Sequence, residues 1–420
     1  MKFKNLLLLV IIFFPVSVFC QSSRHLIYSA IYVIPSDTIN TVYFTYKIPY
    51  NRFIFVKNIN GYKADYRITL EVFTLNGKHV TRQIQRNEIF TKNFENTNSN
   101  SIFKQNFIKF QLQEGKYKVY PIFNDLNINK EIYLKPDTVN IRKKNVSDIL
   151  PPIVVNAGKV DCRKNSFIAL TNFSNFIPFS EKEYNLIIPF IDTTVNLINY
   201  KIINDGDTLF NQNITNSFIA ALKFQKCGKN LILKFGSKQR PTRNFIIENF
   251  SHLLKEGKAT IYLTDLNNLK IIRKFSVYIK WINKPISLRN PEQAIKYLSI
   301  IGKGSTVDRL LSGSSKRYLM HLNEYWKKFD PTPKTEFNPL MEEFYDRIDY
   351  AMKHFFTLGG KNGATTDRGK IFIQFGKPIK IERYSNNYGQ IVEEWFYNKP
   401  KRKFDFIDKD GTGNFKLIKD

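Results

Sequence analysis

At Pro285 the spacing of apolar residues changes. Upstream they recur at every second position and downstream at every third or fourth, and one core cannot serve both periods. The chain therefore divides into a β-rich part and a helical part. At 420 residues it also exceeds what a single hydrophobic core supports, so several domains are required.

Between residues 25 and 141 the period of two is carried by Tyr43-Phe44-Thr45-Tyr46-Lys47-Ile48, Arg67-Ile68-Thr69-Leu70-Glu71-Val72-Phe73 and Lys116-Tyr117-Lys118-Val119-Tyr120. Breaks fall at Asn60-Gly61, Asn76-Gly77 and Glu114-Gly115. The pattern predicts an all-β, Ig-like sandwich over 21–145, with a two-residue hairpin turn at Asn76-Gly77. Pro151-Pro152 and the loss of period make 146–158 a linker. A second sandwich is expected over 159–284, because the chain echoes itself. Leu112-Gln113-Glu114-Gly115-Lys116 and Asp125-Leu126-Asn127 return as Leu254-Lys255-Glu256-Gly257-Lys258 and Asp265-Leu266-Asn267.

Residues 1–20 have the form of an export signal: Lys2 and Lys4, an apolar run from Leu6 to Phe14, then Val18-Phe19-Cys20. The run is too short to span a bilayer. Cleavage after Cys20 is expected, with lipid modification of Cys20 as the alternative. The mature chain is thus placed outside the cytoplasm, in the periplasm or at the outer membrane, where thiols oxidise. Cys162 and Cys227 then read as one disulfide or as two buried thiols.

The formal charge is +28, and removing Lys2 and Lys4 leaves +26. In an exported chain this balance does not indicate nucleic acid. The lysines are scattered among Asn, Ile, Phe and Tyr, which describes a solvated surface, with weak attraction to anionic lipid or glycan as the functional alternative.

Beyond Pro285, Asn290-Pro291 caps and starts one helix, residues 315–329 form a second, and Asn338-Pro339 opens a third that ends at Gly359-Gly360. Leu340, Phe344, Ile348, Ala351, Phe355 and Leu358 line its expected core side, with Glu342, Asp346 and Asp349 on a solvated face. Residues 363–369 are small, polar or charged and make a fixed joint. Alternation over Ile371-Phe372-Ile373-Gln374-Phe375 predicts a strand, and further strands are expected at 379–384, 391–397, 403–408 and 414–418. Helices followed by a meander make an α+β domain over 285–420.

The stretch Gly363-Ala364-Thr365-Thr366-Asp367, together with Asp330-Pro331-Thr332-Pro333, Tyr345-x-Arg347-Ile348-x-x-Ala351 and Trp395-Phe396-Tyr397, resembles the GWxTD domain family of exported bacterial proteins. Ala364 stands where that family has its tryptophan. The resemblance brings Asp330, Arg347, Asp367, Arg368, Trp395 and Tyr397 together, either as an ion-pair lock between helix and sheet or as a binding cleft.

Other chemical signals are faint. Asp408-Lys409-Asp410-Gly411-Thr412-Gly413-Asn414 spaces oxygens as calcium loops do but is followed by no bidentate acid, and reads as a hairpin turn. Gly302-Lys303-Gly304-Ser305-Thr306 lacks the upstream glycine of a phosphate loop. His25, His79, His252, His321 and His354 stand singly, so no metal or other cofactor is expected. Lys399-Pro400-Lys401-Arg402-Lys403 is a basic turn. The expected function is a non-catalytic envelope protein that binds another envelope protein or anchors an assembly. A hydrolase of an envelope polymer, with Asp367 or Asp330 as the acid, is the alternative.

Overall fold

The computed structural model describes residues 27–34, 40–142, 145, 148–162, 165–236, 240–266 and 270–419. The export signal expected over 1–20, with Cys20, lies outside them.

The first domain comprises β1 (Tyr28–Ile34), β2 (Asn40–Pro49), β3 (Val56–Asn58), β4 (Gly61–Thr74), β5 (His79–Thr91), a helical turn α1 (Phe94–Thr97), β6 (Phe103–Leu112), β7 (Gly115–Asp125), β8 (Lys130–Tyr133) and β9 (Asp137–Ile141). One layer is β1-β2-β6; in the other, β4 lies between β5 and β7, and β7 carries β8 and β9. Alternation sends Val42, Phe44, Tyr46 and Ile48 inward to meet Tyr66, Ile68, Leu70 and Phe123. The β4–β5 reversal takes four residues, not two. Thr74 N–H donates to Lys78 O at 2.9 Å, and positive φ (87°) falls on Gly77 but not on Asn76, which a two-residue type I′ turn also needs.

The second domain comprises β10 (Ile153–Cys162), β11 (Asn165–Leu170), β12 (Ile177–Pro178), β13 (Tyr184–Phe190), β14 (Ile198–Asn204), β15 (Asp207–Ile214), β16 (Ser217–Cys227), β17 (Asn230–Gly236), β18 (Thr242–Ile247), β19 (Gly257–Asp265) and β20 (Lys270–Lys280). It repeats the first. The set β10-β13-β18 pairs as β1-β2-β6 does, and β15-β14-β19-β20 follows the course of β5-β4-β7-β9. The echo in the sequence marks equivalent strands: Gly115 (φ 154°) and Gly257 (φ 135°) open β7 and β19, and Asp125 and Asp265, both 3% exposed, close them. What the second domain adds is β11, β16 and β17, which roll its first layer into a closed sheet, β10-β11-β17-β16-β18-β13.

That closed sheet packs on the first domain. The consequence is legible in β13, buried at every position. Its Leu186 and Ile188 join Ile261 and Leu263 on one side, while Ile187 joins Tyr32, Ile34 and Tyr43 of the first domain on the other. Polar contacts close the seam. Asn172 donates to Tyr46 O at 2.9 Å, and Lys47 donates to Thr171 O at 2.9 Å beneath the ring of Phe173; burial, then the neighbouring Lys182, draws its ammonium down to about 7. The expected linker over 146–158 is therefore not a linker. Ile149 and Leu150 are buried and β10 begins at Ile153, because Asp148 holds both Arg142 (2.7 Å) and Arg273 (3.0 Å).

Cys162 and Cys227, at the ends of β10 and β16, form a disulfide with Cα atoms 6.1 Å apart. It closes a span of 65 residues. Reduction, or the Cys162→Ser/Cys227→Ser variant, is expected to cost the second domain about 3 kcal/mol in urea unfolding; an unchanged midpoint would show that the bridge constrains nothing.

The C-terminal unit opens with α2 (Pro291–Tyr297), α3 (Gly304–Leu310), α4 (Tyr318–Lys327), α5 (Pro339–His354) and α6 (Asp367–Phe375), and ends in the antiparallel sheet β21 (Lys380–Ser385), β22 (Ile391–Asn398), β23 (Lys401–Asp408) and β24 (Lys416–Lys419). It docks on the second domain through Phe179, Trp281 and Phe337, whose rings lie 5.2–5.5 Å apart. Glu342 accepts from Trp281 Nε1 at 3.2 Å and Asp349 from Ser287 N–H at 2.9 Å, so these two carboxylates fasten the junction rather than line a solvated face. The core side of α5 is Met341, Phe344, Tyr345, Ile348 and Ala351; Leu340 and Leu358, expected there, are 41% and 80% exposed. The short α3 was not anticipated, its seven residues being too few to show a period.

Candidate functional site

The strand expected at 371–375 is the second half of α6. Thr366 decides this: its Oγ1 accepts from Gly369 N–H at 3.1 Å and donates to Gly363 O at 2.7 Å, capping the helix, while Gly376 (φ 76°) ends it. β-branched and aromatic residues favour a strand locally, and packing overrides them. Phe372 and Ile373 are buried, and Gly369 is buried against Gly363.

The joint between α5 and α6 is made of main chain. A Cβ on Gly363 would lie 2.0 Å from Ala351 O, and one on Gly369 would lie 1.9 Å from Gly363 O. Only hydrogen fits at either position. Ala364, where the resembled family carries tryptophan, is fully buried among Ile348, Ala351 and Ile373, with its N–H bonded to Asn362 Oδ1 at 2.9 Å.

The aromatic face of the sheet packs on α6, and both ends of the helix are pinned. At its start, Asp367 Oδ2 accepts from Leu417 N–H of β24 at 3.2 Å. Arg368 reaches across to Glu393 at 3.1 Å and to Gly413 O at 3.2 Å, with its guanidinium 3.8 Å from the centre of the Phe415 ring and 5.3 Å from that of Phe355. The pair is enclosed, the side chains being 12% and 9% exposed. Burial lowers the Arg368 pKa from its ordinary value, and Glu393 pulls it back. Trp395 Nε1 donates to the same Glu393 oxygen at 3.2 Å. At the other end, Arg347 donates to Ile373 O (3.1 Å) and Gln374 O (3.3 Å) in the last turn, where the helix dipole favours a cation, and pairs with Glu343. Tyr397 donates to Gly376 O at 3.0 Å; burial pushes its phenol up, so it stays a donor.

The six residues expected to meet do so only in part. Asp367, Arg368 and Trp395 hold the first end of α6, and Arg347 and Tyr397 the second. Asp330 belongs to neither: it turns back on Thr332, accepting from its N–H at 2.8 Å and its hydroxyl at 3.0 Å between α4 and α5. The acid that pairs with Arg368 is Glu393 and not an aspartate. Alternation along β22 places Glu393 on the face of Trp395 and Tyr397, which is the signal that could have found it.

Asp330 and Asp367 accept from main-chain N–H groups, Trp395 is 1% exposed, and both arginines are engaged. Asp346 on α5 is pushed up to about 6 by burial, then by Glu342 and Asp349. Among the described residues no group of three or more acidic, His or Cys side chains is arranged to hold a metal. A cavity of about 250 Å³ lies elsewhere, at the seam of the two sandwiches, lined by Ile31, Val33, Val139 and Leu150.

Residues 276–420 match the GWxTD domain. No curated protein matches the chain. Among solved structures, the C-terminal domain of the Streptococcus pyogenes antigen I/II-family protein AspA aligns with 60% of this chain and 100% of its own, at 9% identity and a TM-score of 0.18. A chain named BspA_C_WT aligns with 60% of this chain and 94% of its own, at 10% identity and a TM-score of 0.17. Superpositions that loose imply no shared role.

Proposed function

Residues 276–420 being a GWxTD domain, we propose that this is a non-catalytic, exported protein of the cell envelope, and that the domain grips another envelope protein or anchors an assembly. The buried Arg368–Glu393 pair carries this reading. Its members are closed off by Phe415, Phe355 and Trp395, with no acid or base among the described residues left facing an open cleft at the joint, so the charges of the site are spent on rigidity. The tandem sandwiches act as a platform for it.

Edge strand β21 supplies the surface for a partner. Beside it Ile379, Ile381, Tyr384 and Tyr388 are 63%, 51%, 47% and 87% exposed, and a strand at the edge of a sheet offers unpaired N–H and C=O groups. Crosslinking in intact cells should capture a protein through this edge. The paired change Ile381→Lys and Tyr388→Ala is expected to cut the captured yield at least about ten-fold, the loss of one or two aromatic or apolar anchors, without lowering the melting temperature. Capture that is indifferent to these changes, or turnover of an envelope polymer abolished by Asp367→Asn, would overturn the reading.

A further inference from the structure

We propose that the β23–β24 loop, residues 408–414, binds a calcium ion. Asp408, which opens the loop, is 5% exposed, and its two oxygens differ sharply. Oδ2 accepts from Gly413 N–H at 2.8 Å, turning the carboxylate across the loop. Oδ1 is buried without any hydrogen-bond partner. Arg368 lies close enough for the Asp408 charge to favour its protonated form, but it gives its hydrogen bonds to Glu393 and to Gly413 O and none to Asp408 Oδ1. A buried carboxylate oxygen left in this state is costly unless an ion completes it.

The loop supplies the rest of a cation's surroundings. Asp410, Thr412 and Asn414 follow Asp408 at alternate positions, and Gly411 (φ 66°) and Gly413 (φ 77°) let the chain curl back. Carboxylates and neutral side-chain oxygens in an irregular loop suit calcium, which accepts variable geometry, better than magnesium, which demands an octahedron. Two carboxylates without a bidentate acid in 415–419 make the site weak, with a dissociation constant of about 10⁻⁴–10⁻³ M. Arg368, which bonds Gly413 O and interacts with the Asp408 charge, opposes the ion and holds the affinity at that level. Nothing in this inference depends on which partner the domain binds.

Equilibrium dialysis of the full chain against radioactive calcium should find one saturable site, and at about ten times the dissociation constant calcium should raise the melting temperature of the C-terminal unit by about 3 °C, with magnesium at equal ionic strength giving no such rise. Asp410→Asn, an exposed position, should weaken binding at least about ten-fold while leaving the calcium-free melting temperature unchanged. Asp408→Asn should abolish the response. Absence of saturable binding, an equal response to magnesium, or binding unaltered by Asp410→Asn would each overturn the proposal.

Discussion

Gly363→Ala is expected to leave the C-terminal unit unfolded while the two sandwiches stay intact. The added Cβ would sit 2.0 Å from Ala351 O and 2.8 Å from Phe356 N, and both obstacles are main chain in and just after α5. Side chains move aside at low cost; a helix end does not. Ordinary overpacking costs about 1–3 kcal/mol, and a clash that must shift α5 away from α6 exceeds that range, consuming most of what one domain of this size has in reserve. Gly369→Ala, meeting Gly363 O at 1.9 Å, should do the same. Gly359→Ala is the control, because the nearest atom to its Cβ would be Thr357 Oγ1 at 3.8 Å. Limited proteolysis reads the result: rapid loss of residues beyond 285 in the first two variants, and the wild-type pattern in the third. If Gly363→Ala resists protease as wild type does, the close approach of the two helices is not what holds the joint.

Arg368→Leu is expected to destabilise the same unit by about 4 kcal/mol, because it strands Glu393 as a charge at 9% exposure with only Trp395 Nε1 and the distant Arg383 (3.8 Å) for company. The loss also removes the guanidinium from the face of Phe415. Arg368→Leu with Glu393→Leu should recover most of that loss, since an apolar pair of similar volume often replaces a buried ion pair at little cost. Urea unfolding of the two single variants and the double closes the cycle. A double variant no more stable than Arg368→Leu would mean that the charge of Glu393 is not the source of the penalty.

Much of this architecture was legible in the sequence because period and punctuation agreed. The sandwiches showed in their alternation and in the echo of Gly115 and Asp125 by Gly257 and Asp265, residues fixed by a positive φ and by burial rather than by composition. Asn290-Pro291 and Asn338-Pro339 announced α2 and α5 because capping is local chemistry, and Asn290 and Asn338 do accept from the helix N–H groups. Where local preference and packing disagree, the reading failed. Ile371 to Phe375 has the composition of a strand and is a helix, since Thr366 caps it and Gly369 must lie against Gly363. Pro151-Pro152 looked like a break, but Asp148 with its two arginines folds that segment into the seam. The partner of Arg368 was sought among the aspartates of the motif and lay 25 residues away on a strand, a distance only the third dimension reveals.

The packing of the closed sheet on the first domain has a mechanical result. Leu186 and Ile187 point to opposite neighbours from one strand, so neither sandwich can swing on the other without exposing an oily surface to water. With Trp281 clasped between Phe179 and Phe337 at the next junction, both seams are packed among the described residues. A partner held at β21, as proposed, would thereby be set at a fixed bearing and reach from β1.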